Sequence, residues 1–288
     1  MIPFKTRAAW EILWPALKKA DVVLEVLDAR NPQGTRSSRV EEFIRGEKDK
    51  RLMLVLNKAD LVPIEIVKEW QQHLNQEHPT YYINALKPRR ILEFIQKIKN
   101  LLKDHPLWEN PRFKQRVLIV GYPNSGKSTL IQAMTENKKK VRSSSQAGFT
   151  RGIQLITLSE KIYLIDSPGV IPPSKYEDEL GQALDTCAIS PQKIIDKETA
   201  VEEIERRATL ANLNKIYGIE AANLLDFIEM LGKKRGYLAK GGVVREDEVR
   251  KLLIKDWQQN KIPFYYRFDE KNPSGLGIPS CGVLLNKK

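Results

Sequence analysis

The chain has 288 residues, 41% of them hydrophobic and 29% charged, with 48 Lys and Arg against 36 Asp and Glu for a formal charge of +12. That length can bury one or two cores, the apolar runs are too short to cross a bilayer, and the surplus of positive charge favours a polyanionic partner. Two cysteines 94 residues apart, Cys187 and Cys281, argue against a disulfide framework or a zinc site.

Residues 6–20 place Trp10, Leu13, Trp14 and Leu17 on one helical face, with Pro15 expected to kink or divide the helix. The amphipathic start has no cleavage site, so a cytoplasmic protein without membrane attachment is expected. Residues 20–32 form an apolar run ending in the turn-prone pair Asn31-Pro32, a buried strand. Residues 51–60 and 80–86 read as two more strands, with a helix over 63–76 between them. A helix over 89–103 precedes a proline-broken connector. The strand "RVLIVGY" then enters a glycine-rich loop and a helix from Lys127. Two apolar runs, 153–159 and 161–169, are joined closely enough to form a hairpin.

Strands alternating with helices imply an α/β fold, a mostly parallel sheet with helices on both faces. From residue 179 the period changes to a helical one. The predicted organisation is therefore an α/β domain over 1–178 and a small all-α domain over 179–288.

The chemistry concentrates in short motifs. Gly121, Gly126, Lys127 and Ser128 complete a phosphate-binding loop between a strand and a helix. In such a loop the backbone N–H groups from Asn124 through Thr129 can wrap phosphates, with the helix N-terminus adding the positive end of its dipole. Lys127 would reach the terminal phosphates and Ser128 would offer its hydroxyl to Mg²⁺. Asn57, Lys58 and Asp60 form N-K-x-D at a strand end. Asp60 can accept from guanine's N1–H and exocyclic amine together, Asn57 can bond the O6/N7 edge, and the stem of Lys58 can pack on the ring. Adenine lacks that donor pair, so the motif selects guanine.

Asp166, closing the strand of "LIDSPGV", suits a Mg²⁺-linked carboxylate, and the N–H of Gly169 suits a γ-phosphate contact. Thr150 lies 22 residues after Ser128 and 16 before Asp166, the spacing of a switch threonine that closes on Mg²⁺. Asn84 and Ala85, after the third strand, can supply a second base contact. Two basic clusters, residues 86–116 with nine basic side chains against three acidic and residues 230–267 with ten against four, coincide with Trp108, Phe113, Tyr237 and Trp257. That favours RNA contact over a merely solvated surface.

The order "NKAD", "INA", "GYPNSGKST", "GFT", "DSPG" puts the base reader before the phosphate loop. In this the chain resembles the circularly permuted GTPases. Its last segment, with "KRGYLAKGG" and "DEVRKLLIKDWQQNKIPFY", is similar to the C-terminal region of YlqF/RbgA-type members. The resemblance implies a circularly permuted G domain that binds GTP and GDP and hydrolyses GTP, slowly without the ribosome. It also implies a role in assembly of the large ribosomal subunit, with a helical domain that grips rRNA or the pre-ribosome. The alternative is a GTP-gated RNA-binding checkpoint with little intrinsic hydrolysis.

Two departures bear on catalysis. Val170 follows "DSPG" where Ras-like GTPases carry a water-orienting glutamine, and no histidine precedes His73, whereas some bacterial members carry one near the N-terminus. The group that activates water is left unassigned. Asn124 admits two readings, a K⁺ ligand beside the phosphates or a residue that suits the loop turn. Arg30 in "DARNP" reads as structural rather than as a phosphate contact.

Overall fold

The computed structural model describes residues 4–85, 87–103, 110, 114–135, 154–166, 179–269, 271 and 278–280. It divides into two compact units, residues 1–174 and 175–288.

In the first unit the apolar runs become strands covered on both faces. β1 (Val22–Asp28) is buried throughout and β2 (Arg51–Asn57) at all but its first residue. β3 (Thr80–Tyr82), β4 (Gln115–Val120), β5 (Gln154–Ser159) and β6 (Ile162–Asp166) complete a six-stranded sheet in the order β3-β2-β1-β4-β6-β5. β1 pairs in parallel with β2 and β4, β2 with β3, and β4 with β6. β5 runs antiparallel to β6, the hairpin that the short link predicted.

The chain thus winds outward from β1 to β3 and returns to β4 on the other side of β1. The C-terminal ends of β1 and β4 form the switch point where an open parallel sheet presents its crevice. The base-reading and phosphate-binding motifs emerge on either side of it.

Helices cover both faces. α4 (Pro88–Lys103) and α5 (Lys127–Thr135) bring Ile91, Phe94, Ile98, Leu130 and Met134 onto Val22, Leu24 and Val26 of β1 and Val117 and Ile119 of β4. α1 (Phe4–Lys19), α2 (Ser38–Arg45) and α3 (Ile64–Leu74) contact the sheet with other buried side chains, among them Leu17, Val40 and Trp70. α1 is a single helix with Pro15 inside it, so the proline does not divide it. A proline removes only one backbone donor, and burial of Trp10, Leu13, Ala16 and Leu17 carries the helix past it. α2 is absent from the sequence reading because at eight residues it is short for a periodic signal. Ser37 marks its start, accepting from the N–H of Val40.

The second unit is helical as expected: α6 (Glu179–Leu184), α7 (Lys197–Ala208), α8 (Leu210–Tyr217), α9 (Leu224–Arg235) and α10 (Glu246–Gln258). Asp196, Thr209 and Asn223 cap α7, α8 and α9 with side-chain oxygens. Trp257 of α10 stacks on Phe264 with centroids 4.3 Å apart, and its Nε1–H donates to Leu184 O at 2.9 Å. The unit also carries a short antiparallel pair, β7 (Tyr265–Arg267) with β8 (Ile278–Ser280), where an all-α domain was expected. Trp257, one of the aromatics expected to contact RNA, is 1% exposed and belongs to this core instead. Among the described residues, no helix is long and apolar enough to cross a membrane.

Candidate nucleotide-binding site

The phosphate loop leaves β4 at Gly121 and enters α5 at Lys127. Three of its residues take backbone conformations at positive φ: Gly121 at 149°, Asn124 at 62° and Gly126 at 93°. Asparagine tolerates the left-handed region better than most residues, so the loop-turn reading of Asn124 has a geometric basis. Its K⁺ reading stands where the sequence left it. At Gly126 the glycine is required twice, because a Cβ there would also lie 2.2 Å from Asn57 Nδ2. Lys127 is buried and donates from Nζ to Tyr122 O at 2.5 Å, spanning the loop. Ser128 and Thr129 are exposed on the first turn of α5.

Asn57 ties the base-reading strand to this loop. Its Nδ2 donates to Ser125 O at 3.0 Å, and its Oδ1 accepts from Ala85 N at 3.3 Å. One buried side chain, 2% exposed, therefore joins three expected nucleotide-contacting segments: "NKAD", "INA" and the phosphate loop. Asn84 is half-buried beside Ala85. Lys58 follows in the left-handed region at φ 61°, and Asp60 is exposed in the turn beyond. A non-glycine residue held at positive φ is a local cost typical of functional loops.

Asp28, at the end of β1, was not anticipated. Lys58 Nζ donates to its Oδ2 at 2.8 Å, and Arg30 reaches both of its oxygens, at 2.9 and 2.7 Å. Burial raises the Asp28 pKa, but the charges and hydrogen bonds of Arg30 and Lys58 outweigh it and hold the carboxyl well below the usual range. Arg30 is 1% exposed, in keeping with the structural role expected of it. The signal available in the sequence was an acid and a base two residues apart at a strand end. That identifies a pair but not its third partner thirty residues on.

For Mg²⁺, the sequence named Ser128, Thr150 and Asp166. Asp166 ends β6 directly beside Ile119 of β4, two residues before Gly121, so the strand bearing the acid and the strand feeding the loop end together. A hydroxyl and a carboxylate form an oxygen-only donor set, which suits Mg²⁺ with its retained waters. Thr150 and Gly169 lie outside the described residues. Elsewhere Glu41, Glu77 and His78 bring three possible metal-ligand atoms within 4.8 Å of one another, but the Arg36 guanidinium lies on both carboxylates at 2.6 and 2.7 Å. That cluster is an ion-pair network linking the start of α2 to the end of α3.

Sheet order, loop geometry and motif order define a circularly permuted P-loop GTPase fold of the YlqF type. YlqF from T. maritima in its GNP-bound form aligns with a TM-score of 0.59 and 27% identity, over 88% of this chain and 94% of that one. The GDP-bound form aligns at 0.58 and 26%, over 94% and 97%. A family model described as 50S ribosome-binding GTPase matches residues 116–223. That match opens on β4 at the phosphate loop, leaving "NKAD" ahead of it, as a permuted order requires.

Among curated proteins the chain is similar to "Nucleolar GTP-binding protein 2". It is 32% identical to that of Pneumocystis carinii over 98% of this chain and 58% of the relative. For that of Saccharomyces cerevisiae the figures are 33%, 93% and 54%. The chain spans little more than half the length of these curated relatives.

Proposed function

We infer that the protein binds GTP and GDP, with Mg²⁺, and hydrolyses GTP as a switch during assembly of the large ribosomal subunit. The observation that carries this reading is the double hydrogen bond of Asn57, to Ser125 O and from Ala85 N, which fixes the base-reading strand against the phosphate loop. In this assignment Asn57, Lys58, Asp60, Asn84 and Ala85 hold the guanine. Asn124 through Thr129 and Gly169 hold the phosphates. Ser128, Thr150 and Asp166 hold Mg²⁺, and Asn124 is also the candidate K⁺ ligand. The relatives' names support a GTP-binding protein, and the word nucleolar in them favours a nuclear compartment over the cytoplasm expected from the sequence.

The helical unit supplies the RNA contact in this reading. α9 ends in exposed Lys233, Lys234 and Arg235. The segment after it exposes Leu238, Lys240, Val243 and Arg245 around Gly241 and Gly242. Exposed cationic side chains beside apolar ones suit a phosphate backbone with unstacked bases.

The test is single-turnover GTP hydrolysis with and without large-subunit particles, in K⁺ and in Na⁺. Stimulation by particles is the expected result. The absence of any stimulation supports the checkpoint reading, which Val170 keeps in play by leaving no glutamine at the position that orients water in Ras-like enzymes. Equal turnover in the two salts removes the K⁺ assignment of Asn124.

A further inference from the structure

Lys58 is the one member of N-K-x-D whose contribution depends on where a long, flexible side chain happens to lie. Four rotatable bonds and a strongly hydrated ammonium would let a free lysine at a strand end sample many positions. Here both ends are fixed. The backbone is set at φ 61°, and the ammonium is tied to Asp28 Oδ2 at 2.8 Å. Between these ends the stem passes the phosphate loop, with Cε 4.0 Å from where a Cβ on Gly126 would sit.

The tether is itself rigid. Asp28 faces Asn57 in the β1–β2 register, so it stands beside the residue that precedes Lys58. Its N–H donates to Thr35 Oγ1 at 3.1 Å, and its carboxylate is gripped by Arg30 through Nε at 2.9 Å, Nη2 at 2.7 Å and the Arg30 backbone N–H at 3.1 Å. Arg30 is 1% and Asp28 3% exposed, whereas the Lys58 side chain retains 24%. The inner pair is buried and the outer cation is partly exposed at the C-terminal ends of β1 and β2. A fork-shaped guanidinium holds a carboxylate in one orientation, and that orientation decides where the second cation must sit.

We propose that Asp28, held by Arg30, is a positioning residue for nucleotide recognition: it anchors the Lys58 ammonium so that the lysine stem forms a fixed apolar wall for the guanine ring. The proposal rests on the guanine-binding reading above. Its ligand class is the guanine nucleotides, and Asp28 touches the lysine rather than the base. A purely structural ion pair would share the contacts but not the dependence on Lys58.

The test is a double-mutant cycle read by calorimetric titration of GDP, in Mg²⁺, into the full chain. Lys58→Met keeps the stem and removes the ammonium. Asp28→Asn keeps the shape and removes the anchor. Each is expected to weaken GDP binding about tenfold, and the double variant to bind no more weakly than Lys58→Met alone.

Because Asp28→Asn leaves Arg30 buried without its counter-charge, the cycle is repeated with Asp28→Asn/Arg30→Met in place of the single change. GDP affinity unchanged in Asp28→Asn or in Lys58→Met overturns the proposal. So does an Asp28→Asn loss that is equal in the wild-type and Lys58→Met backgrounds. Failure of the wild-type chain to bind GDP removes the guanine reading and this proposal together, an outcome distinct from a wild type that binds and a cycle that shows no coupling.

Discussion

Asn57 and Asp60 sit three residues apart in one motif, yet the structure assigns them different physical burdens. Asn57 is 2% exposed and makes two internal hydrogen bonds, at 3.0 and 3.3 Å. Truncation to alanine leaves the carbonyl of Ser125 and the N–H of Ala85 without that partner inside the protein. An unsatisfied buried group costs about 1–3 kcal/mol, and the longer bond counts for less, so Asn57→Ala should destabilise the first unit by about 2–4 kcal/mol. At roughly 2–4 °C per kcal/mol for a domain of this size, the nucleotide-free chain should melt about 5–15 °C lower, and GTP affinity should fall as well.

Asp60 is exposed. Asp60→Ala should leave the nucleotide-free melting temperature within the roughly ±0.5 kcal/mol band of surface substitutions. The two charged hydrogen bonds to the base proposed for it, worth about 1.5–3 kcal/mol each, predict a loss of GTP affinity of at least about a hundredfold. The assay is differential scanning calorimetry of both variants without nucleotide, followed by titration with GTP. The reasoning fails if the two variants melt at the same temperature, or if Asp60→Ala binds GTP as the wild type does.

Gly126→Ala forces a side chain into φ 93° and against Asn57 Nδ2; it should abolish GTP binding by titration while circular dichroism keeps the helical signal. Trp257→Ala removes a buried indole stacked on Phe264 and the donor to Leu184 O. Denaturant melts should show the second unit destabilised by about 3–5 kcal/mol, with GDP affinity retained. Glu203 accepts hydrogen bonds from Arg206 and then Arg207, which together outweigh burial and lower its pKa from 4.5 to about 2. A depressed carboxylate stabilises the fold fully above pH 4.5 and loses that contribution as pH falls toward about 2. Melting temperatures between those two values should therefore fall less steeply in Glu203→Gln than in the wild type.

The parts of the fold that the sequence disclosed are those with a strong local cause. β1 and β2 are apolar at nearly every position, so burial on both faces declares them without any partner in view. The phosphate loop is legible because its glycines serve conformations that side chains resist, and "NKAD" because hydrogen-bonding geometry fixes its residue types. What stayed hidden depends on distant pairing. β3 shrinks to three residues because its pairing with β2 ends at Tyr82, a limit set by the neighbour. Trp257 had a place in a basic cluster, and its local sequence could not say whether its indole turned to RNA or to Phe264. Lys58 is joined to Asp28 across thirty positions, a contact fixed only when β1 and β2 align Asp28 with Asn57.

That alignment also explains why a permuted chain order leaves the site intact. Within the first unit, β1 pairs in parallel with β4 over Val22–Glu25 and with β2 over its whole length. The strand feeding the phosphate loop and the strand feeding the base reader are therefore both registered against β1. Their spatial relation is set by hydrogen-bonded neighbours and not by which of them is made first. The order of synthesis matters for a different reason. Here β1, β2 and β3 precede the phosphate loop, so the chain can assemble the base-reading half as a local parallel unit before β4 closes against β1. Asn57 then has to find Ser125, 68 residues later in sequence, as the long-range bond that completes the site. A contact of that separation carries a cost of loop closure. The residue proposed to read the base is thus also the one that links the two halves of the sheet.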